Sequence, residues 1–343
     1  MQKKQKLILV ALSLILVVIC IIALGMGAYY IPASDIFWML MQKLHLFDAS
    51  VHAGLPEDVL FEIRMPRLFL GFLVGAALGI SGTAIQGIFR NPLAEPGLIG
   101  ISSGASLFAV LIIAFETFLF TSLSAWIGHY LLAFGAFAGA GLTAFLVYRI
   151  ASKNGRPNVT TMLLAGIAIN AFAGALTGLM TYMSTEQQLR TITFWMLGSL
   201  GGGTWDTLLA VVPFILVPIL ILPFFGKPLN ALALGETQAE LLGVRTDRTK
   251  RWVVVLSTLA VGSSVAVSGI IGFVGLIVPH IVRLMGGPDH RFVLPGSLLM
   301  GSLVLILADV IARTLVAPIE LPIGVITALL GTPVFLYILI RDR

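Results

Sequence analysis

Long apolar runs, each closed by a short polar segment, divide this chain from end to end. They fall near 7–28, 67–88, 97–115, 127–148, 159–183, 205–225, 251–268, 270–284, 293–313 and 323–340. All but the eighth approach the ~20 residues that a helix needs to cross a bilayer. The pattern predicts an all-α, polytopic membrane protein with ten transmembrane helices. The stretch 251–284 is too long for one span and short for two; Gly269, Gly272 and Gly275 near its middle predict two helices with a tight turn between them, the second one short. The first run follows Lys3, Lys4 and Lys6. It exceeds the roughly 7–15 residues of a signal-peptide core and has no small-x-small cleavage site after it, so it reads as an uncleaved first helix.

Composition strengthens this picture. Of 343 residues 58% are hydrophobic and 11% charged, against about 25% charged in a soluble domain. Most of the surface must therefore face lipid, and no separate soluble domain interrupts 1–343. The net charge of +5 is no sign of a nucleic-acid partner, because the basic residues sit in short loops. Of the 21 Lys and Arg, all but Lys43, Arg64, Arg67, Arg190 and Arg313 fall on one side of the ten-span arrangement. That bias places both termini in the cytoplasm. Cys20 is the single cysteine, so no internal disulfide forms. Gly71, Gly75 and Gly79, then Gly82, and the pairs Gly135/Gly139 and Gly174/Gly178 have the spacing that lets helix backbones approach closely in lipid.

Chemical motifs are sparse. No phosphate-binding G-x-x-x-x-G-K-[ST] loop, H-E-x-x-H or C-x-x-C occurs, and the chain is expected to bind no metal or cofactor of its own. Gly100-Ile-Ser-Ser-Gly104 fits G-x-S-x-G, yet it opens a membrane helix instead of following a strand, so a nucleophilic Ser102 lacks its context. The loop 226–251 carries a short predicted helix over 233–243, with Glu236 near its start and Gly243 at its end. Ala233, Leu234, Leu241 and Leu242 give it an apolar face. That face lies either on the membrane surface or in a groove of a cytoplasmic partner.

Three stretches carry a resemblance: RMPRLFLGFLVGAALGISGTAIQGIFRNPLAEPGLIGISSGAS at 64–106, ALGETQAELLGV at 233–244, and GFVGLIVPHIVRLMGGPDHRFVLPGSLLMGSLVLILADVIARTLVAPIELPIGVITALLGTPVFLYIL at 272–339. The chain resembles the FecCD permeases of type II ABC importers, which move iron–siderophores, haem and cobalamin. The resemblance implies a homodimer of ten-helix subunits in the bacterial inner membrane, with two separate ATPase subunits holding the ATP and a periplasmic binding protein. It makes 229–243 the coupling segment, with Leu234, Gly235, Glu236, Ala239, Leu241, Leu242 and Gly243 against the ATPase. It assigns binding-protein docking to Arg64, Arg67 and Arg313. Arg64 and Arg67, three apart, share a helix face, and a guanidinium fork suits carboxylates. Asp309 lies four before Arg313 and can pair with it. The alternative is that these arginines snorkel toward lipid phosphates. The loop 149–160 would form an inner gate, with Ser152, Asn154 and Asn158 as its small polar members.

The segment 165–205 is expected to line the substrate cavity, and its run QLRTITFWMLGSLGGGTW looks most like the haem permeases of the family. Met180, Tyr182, Met183, Trp195 and Met196 offer soft and aromatic surface to a porphyrin face, and Arg190 offers a cation to a propionate. Met and aromatics at helical spacing are also ordinary membrane core, and an iron–siderophore or cobalamin stays open as cargo. His45 and His52 lie in the outer loop 29–63; His280 and His290 look structural. Two other classes compete. An ion-coupled secondary transporter needs embedded acids, and Asp309 is the one acid well inside a predicted span. An intramembrane enzyme needs a base beside Ser102, which the sequence does not supply.

Overall fold

The helix Leu55–Phe89 is the axis on which the other spans pack. In the computed structural model, which describes residues 2–44, 54–119, 130–153 and 155–341, 83% of its most apolar window is buried inside the protein, against 17% for Val159–Met183. In chain order the helices are α1 Lys3–Gly25, α2 Ala33–Lys43, α3 Leu55–Phe89, α4 Ile101–Leu119, α5 Tyr130–Ala151, α6 Val159–Met183, α7 Glu186–Leu197, α8 Trp205–Ile221, α9 Gly226–Ala233, α10 Glu236–Leu241, α11 Thr246–Ser268, α12 Val274–Gly286, α13 His290–Thr314 and α14 Ile323–Arg341. Seven helical stretches are long and apolar enough to span a membrane, and three shorter apolar helices (within α4, α12 and α14) fill the remaining expected positions. A two-residue hairpin, β1 Ser152–Lys153 with β2 Arg156–Pro157, joins α5 to α6.

Local chemistry sets several boundaries. Asn158 caps α6 by accepting from the Thr161 amide at 2.9 Å. Thr185 and Gln188 close a reciprocal capping box that starts α7, and Thr204 caps α8. Each satisfies amides that a helix start leaves unpaired. α3 starts twelve residues before the expected 67, through a π-helical turn at Val59–Arg64. The outer loop 29–63 also contains α2, so it is largely helical where it is described. His45 and His52 lie outside the described residues.

Close approach explains why glycine fills α3. A Cβ on Gly75 would collide with the backbone of Gly301, one on Gly79 with the Ser297 carbonyl, and one on Gly82 with the backbone of Gly275. α13 and α12 thus touch α3 backbone to backbone, and Ser302 Oγ donates across the first seam to the Phe72 carbonyl at 2.8 Å. A Cβ on Gly174 or Gly178 of α6 meets nothing within 4 Å. Gly75→Ala is expected to cost about 2 kcal/mol, since the backbones must part, and Gly174→Ala to be neutral or slightly stabilising through helix propensity. Thermal unfolding of the two purified variants checks this contrast.

The basic end of the bundle carries Lys3, Lys4, Lys6, Arg149, Lys227, Arg245 and Arg291. At the far end Arg64, Arg67 and Arg313 gather as the sequence suggests, but they do not stand free. Their exposures are 5%, 8% and 9%. Arg64 donates to the carbonyls of Leu24, Gly25 and Tyr29, capping the end of α1. Arg67 donates through Nε and Nη2 to Asp309 Oδ1 at 3.0 and 2.8 Å, and through Nη1 to Glu320 Oε1 at 2.8 Å. Arg313 donates to the Ala23 carbonyl and lies 3.5 Å from Asp309, the expected i,i+4 pair. The carbonyls at the end of α1 and the carboxylates of Asp309 and Glu320 draw the guanidiniums inward, which avoids leaving buried carbonyls unpaired.

Candidate functional site

α7 is a separate twelve-residue helix, where the apolar pattern predicts only the link between the spans 159–183 and 205–225. Its 186–197 stretch mixes polar and apolar positions, so it does not register as a span. Gln188, beyond its capping role, donates to the carbonyls of Ile113 and Ala114 at 3.2 and 3.1 Å, and Ile192 packs between Val110 and Ile113. These contacts fix one face of α7 on α4. The other face presents Arg190, Thr191, Phe194 and Trp195 to a cleft of about 440 Å³ that is closed by Ser199 and by 267–269. Among the described residues Arg190 has no acidic partner within salt-bridge distance.

Of the six expected cavity residues the structure brings Arg190 and Trp195 together. Met180 packs against the α4–α7 contact. Tyr182 is 89% exposed and Met183 also stands out at the end of α6; Met196 is exposed and does not line the cleft. The separation of these residues has a simple cause. The chain turns at Ser184 and starts a new helix, so residues on α6 and α7 do not continue one helical face. Phe194 and Ser199 lie within the quoted QLRTITFWMLGSL run but were not singled out; their spacing of three or four from Arg190 and Trp195 was the available signal.

Beyond the cleft lies the break between α11 and α12. Gly269 takes φ +66 and Phe273 φ +69. The left-handed region is open to glycine, whereas at Phe273 it stores of order 1–3 kcal/mol. The break is locked onto α7: Ser199 N donates to the Ser268 carbonyl at 2.8 Å, and a Cβ on Gly269 would strike the Trp195 carbonyl. On its other side is a second cavity of about 270 Å³, lined by Glu95, Ser102, Ser103, Asn170 and Phe273 among others. Ser103 Oγ donates to Asn170 Oδ1 at 2.5 Å, and Asn170 Nδ2 donates to the Gly97 carbonyl at 3.1 Å. Ser102 is preceded by a 3₁₀ turn, Pro96–Ile99, and not by a strand. The expected turn at 269–275 is therefore a wall between two cavities.

At the basic end, the predicted single helix over 233–243 is two, α9 and α10, parted at Leu234–Gly235, where Gly235 has φ +122. Leu241 is 84% exposed, and Ala233, Leu234, Leu242 and Gly243 are exposed with it, while Gly235 and Ala239 turn inward. Lys250 was not anticipated. It is 1% exposed, and its Nζ lies 2.5 Å from Glu236 Oε2 and 3.2 Å from the Pro157 carbonyl. One ammonium thus joins the start of α10 to the hairpin before α6. Of the gate residues, Ser152 Oγ donates to the Tyr148 carbonyl at 2.7 Å and Asn158 caps α6; Asn154 lies outside the described residues.

Known proteins match this arrangement along nearly its full length. The profile of the FecCD transport family matches residues 15–341. The hemin transport system permease protein HmuU of Yersinia pestis is 43% identical over 325 residues, 95% of this chain and 94% of that protein. The cobalamin import system permease protein BtuC of Halobacterium salinarum is 41% identical over 300 residues, 87% and 78% of the two chains. The vitamin B12 import system permease protein BtuC of Salmonella paratyphi A is 39% identical, covering 99% and 97%. Among solved structures, a transporter assigned to the metal-chelate ABC type, in an inward-facing conformation, superposes with a TM-score of 0.81 at 33% identity, covering 98% of this chain and 99% of that one. With its spans, its polar cavities and its exposed leucines at the basic end, the chain belongs to the FecCD transport family as the membrane-spanning permease subunit of an ABC importer.

Proposed function

We propose that this permease carries haem inward across the bacterial inner membrane, as one half of a homodimer served by two cytoplasmic ATPase subunits and a periplasmic binding protein. The observation that carries the haem assignment is the cleft in which Arg190, a cation with no acidic partner among the described residues, stands beside Phe194 and Trp195. A porphyrin offers a flat apolar face to the rings and a carboxylate to the guanidinium. The 43% identity to a hemin permease supports it; the cobalamin relatives keep a corrinoid as the alternative outcome of the test. ATP-dependent uptake into proteoliposomes, with a ferric siderophore and cobalamin as competitors, decides between them. Haem uptake that neither competitor reduces supports the assignment; uptake of a competitor alone sinks it and leaves the architecture standing.

The partners follow from the two ends. Basic residues mark the cytoplasmic end and put both termini there. Within 229–243 the exposed leucines Leu234, Leu241 and Leu242 are the apolar knobs for an ATPase groove, each offering about 1.5–3 kcal/mol on burial. The open faces of Gly174 and Gly178, on the least buried of the seven long spans, suit close packing against a second copy. Ser152, Asn154 and Asn158 belong to the hairpin region assigned to the inner gate.

Docking at the far end requires one arginine to exchange partners. Arg67 is best placed, because Glu320 is 46% exposed at the side chain and an acid of the binding protein can replace it. Arg64 and Arg313 then hold the helix ends that present Arg67. Glu320→Gln is expected to tighten docking by about fivefold, one rim charge pair's worth. Titration of the binding protein onto nanodisc-held permease measures it, and an unchanged affinity removes Arg67 from the docking surface.

A further inference from the structure

The largest of the cavities described at the basic end, about 910 Å³, lies between the first turn of α1, α9, the end of α12 and the start of α13. Its charges do not balance. Asp289 is consumed by its neighbours: Arg291 donates to both carboxylate oxygens at 2.7–3.1 Å and Asn230 Nδ2 to Oδ1 at 2.7 Å. These bonds hold the Asp289 carboxyl well below the usual carboxylate range, so that pair contributes no net charge. Arg283 is half-buried, and among the described residues its one side-chain hydrogen bond is to the amide oxygen of Gln86 at 2.6 Å. Among the described residues neither Arg283 nor Lys4 has an acid within salt-bridge distance. Gln5, whose Nε2 donates to the Gly286 carbonyl at 2.9 Å, fastens α1 to the end of α12 and fixes the wall between the two cations.

We infer that this cavity binds the phosphate headgroup of an anionic lipid in the leaflet at the basic end. A phosphodiester oxygen supplies what Arg283 lacks, and guanidinium is matched to phosphate geometry. Lys4 shares one face of α1 with Leu7, Leu14 and Val18, all exposed. A headgroup held at Lys4 therefore has an apolar stripe directly beneath it for its acyl chains. A free phosphate would leave that stripe unused, and basic pockets between transmembrane helices on the positive side are apt lipid sites. The inference needs only that the chain span a membrane; it does not depend on the cargo.

Native mass spectrometry of the full chain, released from nanodiscs of phosphatidylcholine with a minor fraction of phosphatidylglycerol or cardiolipin, tests it. Wild type is expected to retain the anionic lipid over phosphatidylcholine by roughly tenfold or more, and Lys4→Gln with Arg283→Gln to lose that preference. Lys4→Gln alone, at an exposed position, is expected to lose about fivefold without disturbing the fold. Lys3→Gln with Lys6→Gln is the charge-matched control and should retain most of the preference. Equal anionic-lipid retention by wild type and both Lys4 variants would overturn the site. Displacement of the lipid by inorganic phosphate would make it a small-anion site, and displacement on adding the ATPase subunit would give the cavity to that protein; either result overturns the lipid assignment.

Discussion

Lys250→Met is expected to cut ATP-driven uptake by about tenfold or more, the scale of a coupling free energy between two sites, while the protein still folds and still holds its ATPase. The ammonium is buried and bridges two elements to which different roles are proposed, the ATPase contact and the inner gate. Glu236 begins α10, which carries Leu241 between the other exposed leucines, Leu234 and Leu242, and Pro157 ends the hairpin that leads into α6. Methionine keeps the length and apolarity of the stem, and Glu236, 40% exposed at the side chain, can turn to water. The stability loss should stay at about 1–3 kcal/mol, the value of charge-assisted hydrogen bonds. Glu236→Ala leaves the lysine charged and buried, so it should cost more stability than Lys250→Met does. Uptake and ATP turnover measured together check the link. Wild-type uptake in Lys250→Met would reduce the bridge to a packing contact.

Asp309→Asn is expected to cost about 3–5 kcal/mol, the range for breaking a buried ion pair by removing one partner. Asp309 Oδ1 accepts twice from Arg67, and Oδ2 faces Arg313 Nε. The amide would leave two guanidiniums to share Glu320 and one backbone carbonyl. Glu320→Gln is the comparison, since a half-exposed pair is worth about 0–1 kcal/mol. Unfolding of both variants in mixed detergent gives the two values, and equal losses would mean that the cluster is not held by Asp309. An ion-coupled transporter would use such an acid for its ion; here both oxygens are committed to arginines.

The spans were legible because lipid imposes one rule on every residue of a run, and the bounds of α6 agree with the apolar run 159–183 to the residue. The local pair Asp309–Arg313 was legible, but the long-range side-chain partnerships were not, because they depend on residues far apart in the chain. Arg67 and Asp309 are 242 positions apart, and nothing local tells whether an arginine at a helix end faces water or another helix. α7 was hidden for the opposite reason. Its polar and apolar residues average out over a span-length window, although the Thr185–Gln188 capping box announces its start. The candidate cleft inherited both problems: its cation and one aromatic were legible, and the turn that closes it was legible as a turn but not as a wall of the cleft. In the segment 229–243, glycine at 235 was a readable sign of two helices instead of one.

The backbone contacts of α3 with α12 and α13 have a practical corollary for anyone who wants to watch this protein work. A seam with no room for a methyl group has no room for a spectroscopic label, and it leaves its two sides no path along which to slide. Gly75, Gly79, Gly82 and Gly301 therefore define a reference frame and should not be used as probe sites. Phe172 of α6, 66% exposed, takes a label without entering the Gly174/Gly178 face proposed for the second copy, and Cys20 is the sole native thiol to remove. Distances from a label on α6 to one on the exposed tip of α10 would then read motion against a fixed ruler built into the fold.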